Sequence, residues 1–223
     1  MCGANNYNQQ GNGATTTVKT FTKVAENVAQ IFLTDYTSGY LTTSGDFYLC
    51  GRNNYGQQGN STTTTNVSTF TKVAENVAQI FLSNETSGYL TTSGELYLCG
   101  RADYGQQGNG HPYYENVSTF TKRAEGVAQI FLSNKTSGYI TTTGDFYLCG
   151  FNEYGQQGAG DASIYYVASF TKRAEIVAQI FLSDNTSGYV TTSGDFYLCG
   201  SNIYGSQGNG TSEDIVYTFT KRN

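Results

Sequence analysis

Phe47-Tyr48-Leu49-Cys50-Gly51-Arg52-Asn53-Asn54-Tyr55-Gly56-Gln57-Gln58-Gly59 decides the fold, because the chain writes this phrase again around Cys99, Cys149 and Cys199 and opens on a clipped form at Met1-Cys2-Gly3. Successive cysteines lie 48, 49, 50 and 50 residues apart. A period near 50 is the mark of a repeat array, in which each unit buries its apolar face against the next. The 223 residues therefore read as a single repeat domain, with a half repeat at 1–23 and four full repeats at 24–72, 73–122, 123–172 and 173–221, each closing on Phe-Thr-Lys.

The composition selects the kind of repeat. With 27 Gly, one Pro, 19 Tyr, 13 Phe and only 13% charged residues, the chain favours short strands joined by glycine turns, an all-β protein. Four strands are expected per repeat. The first is the apolar run Val28–Leu33, which suits a strand covered on both faces, and the second is Gly39–Thr43. Ser44-Gly45 turns the chain into the third strand, Asp46–Cys50, with glycine supplying a positive φ. A long loop carrying Tyr55-Gly56-Gln57-Gln58-Gly59 then leads to the fourth, Val67–Lys72. A helix over Val24–Ile31 is set aside as too short to stand alone, in favour of a turn at Ala25-Glu26-Asn27. Four antiparallel strands in sequence make one propeller blade.

At Gly51–Gly59, repeated as Gly150-Phe151-Asn152-Glu153-Tyr154-Gly155-Gln156-Gln157-Gly158, and followed by an apolar strand and Thr-Thr-Ser-Gly, the chain resembles the regulator of chromosome condensation repeat family. The resemblance covers essentially the whole chain and implies a β-propeller-like array of four-stranded antiparallel blades. It also has departures. Cysteine stands at Cys50, Cys99, Cys149 and Cys199 where the family usually has Trp, and Gln58, Gln107, Gln157 and Gln207 stand where it has Leu. Asn8, Ala102 and Ser206 interrupt individual copies. Seven blades close the family's ring, so four repeats and a half imply a smaller ring, an open arc or strands supplied by another chain. The family also implies nucleotide exchange on the small GTPase Ran and chromatin binding, the weakest expectation for this chain.

Charge and cysteine use narrow the partners. A net charge of −5 argues against direct binding to a nucleic-acid backbone, which depends on clustered Lys and Arg. No apolar run reaches the roughly 20 residues that span a bilayer, and the first residues lack a signal-peptide pattern, so an intracellular protein without a membrane partner is expected. The cysteines, one per unit, are too dispersed for a disulfide or a metal and read as small buried residues. Gly-Gln-Gln-Gly lacks the Lys-Ser or Lys-Thr of a phosphate cradle and reads as a structural turn whose Gln side chains bond the loop backbone. Lys72 with Glu75, and Lys122 with Glu125, read as a solvated edge.

No catalytic residue, cofactor or metal site is expected. The single His111 sits in a variable loop with no repeated Ser or Asp partner. Candidate positions come instead from the places that refuse to repeat. At the tip between the first two strands these are Asp35-Tyr36, Asn84-Glu85, Asn134-Lys135 and Asp184-Asn185. In the loop between the last two they are Asn54, Asp103, Glu153 and Ile203, followed by stretches as different as Ser61-Thr62-Thr63 and His111-Pro112-Tyr113-Tyr114. An alternating blade puts both loop sets on one face, as in a recognition surface for a protein partner. The same variability follows if exposed loops drift freely. A structural subunit that self-assembles head to tail through unpaired end strands is the alternative.

Overall fold

The computed structural model describes residues 1–111, 115–212 and 214–222. Pro112, Tyr113 and Tyr114 of the variable loop lie outside the described residues. The protein is all-β, built from four antiparallel four-stranded sheets that keep chain order. The first holds β1 (Val28–Leu33), β2 (Thr37–Thr42), β3 (Phe47–Gly51) and β4 (Val67–Ala74), and the second β5 (Val77–Leu82), β6 (Thr86–Thr91), β7 (Leu96–Gly100) and β8 (Val117–Ala124). The third holds β9 (Val127–Leu132), β10 (Thr136–Thr141), β11 (Phe146–Phe151) and β12 (Tyr166–Ala174), and the fourth β13 (Val177–Leu182), β14 (Thr186–Thr191), β15 (Phe196–Ser201) and β16 (Ile215–Arg222). Contacts group these into two compact units, Met1–Arg101 with Asn116–Glu125, and Ala102–Glu115 with Gly126–Asn223.

β1 begins at Val28 after a bend at Glu26-Asn27, and Gly45 turns β2 into β3 at φ +86°. β4 runs on to Ala74, two residues beyond the expected Lys72.

Two expectations need correction. The half repeat does not form strands. Gly3 and Val18 exchange backbone hydrogen bonds at 2.7 and 2.9 Å and Thr22 N donates to Met1 O at 3.0 Å, the register of a full blade over too few residues for a strand. The apolar run of the first strand, expected to be covered on both faces, is fully buried at two positions at most and elsewhere exposed or half-buried. In β5, Val77 and Ile80 are buried while Ala78 is exposed. Val77 pairs with Thr91 but Gln79 with Leu90, so Ala78 is the extra residue of a β-bulge, and buried side chains fall three apart instead of two.

The core lies between sheets. Within the first unit, Leu41, Phe47 and Leu49 of one sheet pack on Val77, Ile80 and Tyr89 of the next. In the second unit Ile140, Phe146 and Leu148 pack on Val177, Ile180 and Tyr189. Each buried aliphatic or aromatic side chain stabilises by about 1.5–3 kcal/mol. Cross-strand tyrosines brace each sheet: Tyr89 and Tyr97 are register partners with rings stacked at 4.9 Å, and Phe120 of β8 lies 5.0 Å from Tyr89. Residues 1–23 carry no counterpart of Leu41 or Phe47, so Ile31 is 54% exposed where Ile80 is 0%.

The cysteines are buried between copies. Cys50, Cys99, Cys149 and Cys199 direct Sγ at the backbone oxygens of Gln9, Gln57, Gln106 and Gln156, at 3.6, 3.5, 3.6 and 3.5 Å. Burial pushes the Cys50 thiol up to about 12, and those of Cys99 and Cys199 upward as well, so each remains an S–H donor. All five cysteines are free thiols.

Leading into each first strand, the chain takes a left-handed residue: Asn27, Asn76, Gly126 and then Ile176 at φ +57°. A β-branched residue there costs roughly 1–2 kcal/mol, and Ile176 is 65% exposed, so little burial offsets the strain. Ile176→Asn should therefore stabilise the protein by about 1 kcal/mol, read from urea denaturation. A midpoint that moves down would place an unseen packing role on Ile176.

The hairpin between the second and third strands and the link into the next repeat are tied by lysines. Lys72 Nζ lies 2.9 Å from Asp46 and 2.6 Å from Glu75, and Lys221 Nζ lies 2.8 Å from Asp195. Hydrogen bonds from Lys72 hold the Asp46 carboxyl below its usual range, and Lys221 and Lys122 do the same for Asp195 and Glu125. Groups lowered in the folded state stabilise fully above the ordinary carboxylate pKa of about 4, and that contribution is lost as pH falls through their lowered values. The melting temperature should accordingly drop between about pH 4 and pH 2, and less so in high salt. A flat profile would mean that these exposed pairs contribute nothing.

Candidate functional site

The loop after each third strand is held by its own polar side chains. Gln58 N donates to Asn53 Oδ1 at 3.0 Å, and Asn53 Nδ2 donates to Asn60 Oδ1 at 2.9 Å and Thr62 O at 3.0 Å. Gln58 Nε2 donates to Arg52 O at 3.1 Å, and Tyr55 N donates to Gln57 Oε1 at 3.0 Å. Gly56 and Gly59 take φ of +78° and +66°. The Gly-Gln-Gln-Gly phrase is thus a structural turn with both glutamines buried. Ala102 cannot supply the bonds that Asn53 makes.

The first glutamine also reaches forward. Gln57 Nε2 donates to Asn84 O at 3.2 Å, and Gln9, Gln106 and Gln156 reach Asp35, Asn134 and Asp184 O at 3.1, 3.4 and 2.8 Å. Each turn therefore seats on the tip between the next first and second strands. The tip itself is shaped by a hydroxyl: Ser83 Oγ accepts from Thr86 N at 3.0 Å and Glu85 N at 3.3 Å.

The candidate tip residues divide by position. The first of each pair joins neighbouring tips. Asp35 N donates to Asn84 Oδ1 at 3.1 Å while Asn84 Nδ2 donates to Asp35 Oδ2 at 3.2 Å, and Asn134 makes the matching bonds to Asp184 at 3.1 and 3.3 Å. These four side chains are occupied in holding tip to tip.

The second of each pair meets a residue that reading the loops alone did not single out, the one following Cys-Gly. Arg52 N donates to Tyr36 O at 3.0 Å, Arg101 N to Glu85 O at 2.9 Å, Phe151 N to Lys135 O at 3.0 Å and Ser201 N to Asn185 O at 2.9 Å. The side chains match in character. Arg101 Nη1 lies 2.8 Å from Glu85 Oε2, and Lys135 Nζ stands 4.7 Å from the Phe151 ring centroid and 5.3 Å from that of Tyr104. Arg52 stands 5.0 Å from Tyr36, 5.4 Å from Tyr7 and 5.5 Å from Tyr55. Tyr55 also receives Arg101 at 5.0 Å. The signal lay in the alternation Arg, Arg, Phe, Ser after an otherwise constant Cys-Gly.

Of the remaining candidates, Asn54, Glu153 and Ile203 are exposed at the loop crests and Asp103 is half-buried. Ile203 opens a single 3₁₀ turn, Ile203–Gly205, in which Tyr204 is 96% exposed. Among the described residues no three His, Cys, Asp or Glu side chains come together as a metal would require, and no helix is long and apolar enough to cross a membrane.

No family model matches the chain, and no curated protein matches its sequence. Solved structures do. Yeast RCC1 (Prp20), in its complex with Kap60, superposes with a TM-score of 0.75 at 19% identity, over 93% of this chain and 51% of that one. Prp20p from Saccharomyces cerevisiae, studied for its binding to Gsp1p and histones, gives the same score and identity over 93% and 52%. Human WBSCR16 gives 0.73 at 20% identity over 97% and 60%. The chain spans about half the length of the yeast structures.

Proposed function

From a fold that is that of the RCC1-repeat propellers, we propose that the chain is a non-catalytic interaction module binding a protein partner through the tips and loops at the same end of each sheet. The observation that carries this is the distribution of change along a constant frame. Strands, turns and the Gln and Cys bonds between copies repeat, while the residue pairs 36/52, 85/101 and 135/151 alter charge and shape together, which free drift of single positions would not produce. Side chains on loops held by a rigid scaffold are suited to recognition. Yeast RCC1 is bound to Kap60 in one of the similar structures, and Prp20p has binding properties toward Gsp1p and histones, so protein binding is in keeping with the fold. With the first tip positions joined to one another and Glu85 paired with Arg101, the contact residues we propose are Tyr36, Lys135 and Asn185 with Asn54, Asp103, Glu153 and Ile203.

Photo-crosslinkers placed at Asn54 and Glu153 in these loops, and at Ser44 and Ser93 in the opposite hairpins, test the proposal with any partner isolated by affinity capture. Cross-links confined to 54 and 153 support it. Cross-links confined to 44 and 93 overturn it. Nucleotide exchange is a separate reading, checked by release of labelled GDP from Ran; acceleration would replace the non-catalytic reading.

A further inference from the structure

Arg52 and Arg101 occupy the same place in successive copies, yet they are satisfied differently. Arg101 stands over the Tyr55 ring at 5.0 Å and pairs through Nη1 with Glu85 Oε2 at 2.8 Å. Arg52 stands among the Tyr7, Tyr36 and Tyr55 rings at 5.4, 5.0 and 5.5 Å, and the position of Glu85 is filled in its copy by Tyr36. Among the described residues no carboxylate pairs with Arg52, whose Nε is buried out of a partner's reach and whose side chain is otherwise half-buried. Ring faces attract the charge of a guanidinium but leave its in-plane N–H donors unmet, and a carboxylate matches that fork of donors in geometry and charge.

We infer that Arg52, in its setting of Tyr7, Tyr36 and Tyr55, is a docking point for a carboxylate of an acidic segment in a protein partner. The second copy displays the complex internally, with Glu85 as the built-in occupant. The first copy presents the same cation with its occupant replaced by a tyrosine, whose ring contributes a wall instead of a charge. Tyr7 comes from the half repeat and Tyr36 from the first full one, their rings 5.0 Å apart edge to face, so the wall is assembled by the packing of two copies. This inference rests on the reading of the tips and loops as partner-binding, and names the chemistry one part of them recognises.

The test uses the full chain and a fluorescein-labelled hexaglutamate peptide, with a hexaserine peptide as control, followed by fluorescence anisotropy at low ionic strength. Saturable binding of hexaglutamate is expected, weakened by salt and by about tenfold or more in Arg52→Ala. Tyr36→Glu supplies the internal carboxylate that Glu85 provides next door. It keeps the cation and should lose the peptide equally, with a melting temperature within a few degrees of the parent. Lys122→Ala, which removes the same charge at the lysine ties away from these rings, should bind as the parent does. Equal binding by the parent, Arg52→Ala and Tyr36→Glu, no saturable binding by the parent, or stronger competition from a single-stranded oligonucleotide than from unlabelled hexaglutamate would each overturn the inference. Cross-links that stay on the tips and loops in Tyr36→Glu would remove Arg52 from the contact while leaving the loops as the binding surface.

Discussion

Gly100→Ala should lower the stability of the protein by on the order of 3 kcal/mol or more, a large fraction of what a folded domain typically has. Gly100 ends β7 at φ +113°, where an L side chain is strained, and its new Cβ would lie 2.8 Å from Thr86 Cα and press on the Glu85 carbonyl. Both are backbone at the start of β6, so relief requires parting two paired strands. Gly51, Gly150 and Gly200 meet the same obstacle at Tyr36, Lys135 and Asn185. Gly194→Ala is the control: φ is +89° but no atom lies within 4 Å of its Cβ, so only backbone strain of about 1–2 kcal/mol remains. Urea denaturation of the two variants reads the difference directly, and equal losses would show that the close approach is not what requires glycine.

Phe146→Ala should cost about 3–5 kcal/mol, and Phe196→Ala, the same substitution one repeat later, a good deal less, about 1–2 kcal/mol. Phe146 is fully buried, with the rings of Tyr189 and Phe219 at 5.8 and 5.9 Å, in the core where two sheets of the second unit meet. Phe196 is only half-buried, its ring 6.4 Å from that of Phe181. Identical residues in identical strands thus differ because the energy resides between sheets. Chemical denaturation with a common slope measures it, and a difference below about 0.5 kcal/mol would place the core within sheets instead.

The repeat made strand order readable from sequence, since each apolar run, Ser-Gly turn and Cys-Gly ending appears several times over, and accidental features average away. Strand ends were less legible: Lys72 looked terminal because Phe-Thr-Lys closes the phrase, but pairing of Phe47 with Ala74 extends β4. The bulge at Ala78 was invisible, because Val-Ala-Gln-Ile-Phe-Leu is apolar at almost every position and no alternation marks which residues turn inward. At the candidate site, variability located the tips but not their division of labour. Asp35 and Asn84 look like free polar residues in a linear text, and only the approach of one tip to the next reveals them as mutual partners. Arg52 adjoins a constant phrase and carries no mark of its own in a linear text, although its ring contacts come from residues 45 and 16 positions back in the chain.

The forward bond from Gln57 to the Asn84 carbonyl and the backward one from the Cys99 thiol to Gln57 give the array a direction in time. A turn of one copy lacks both partners until the hairpin of the next has been made. The turn carrying Gln57 is therefore complete only once the chain has been made as far as Cys99, 42 residues further on.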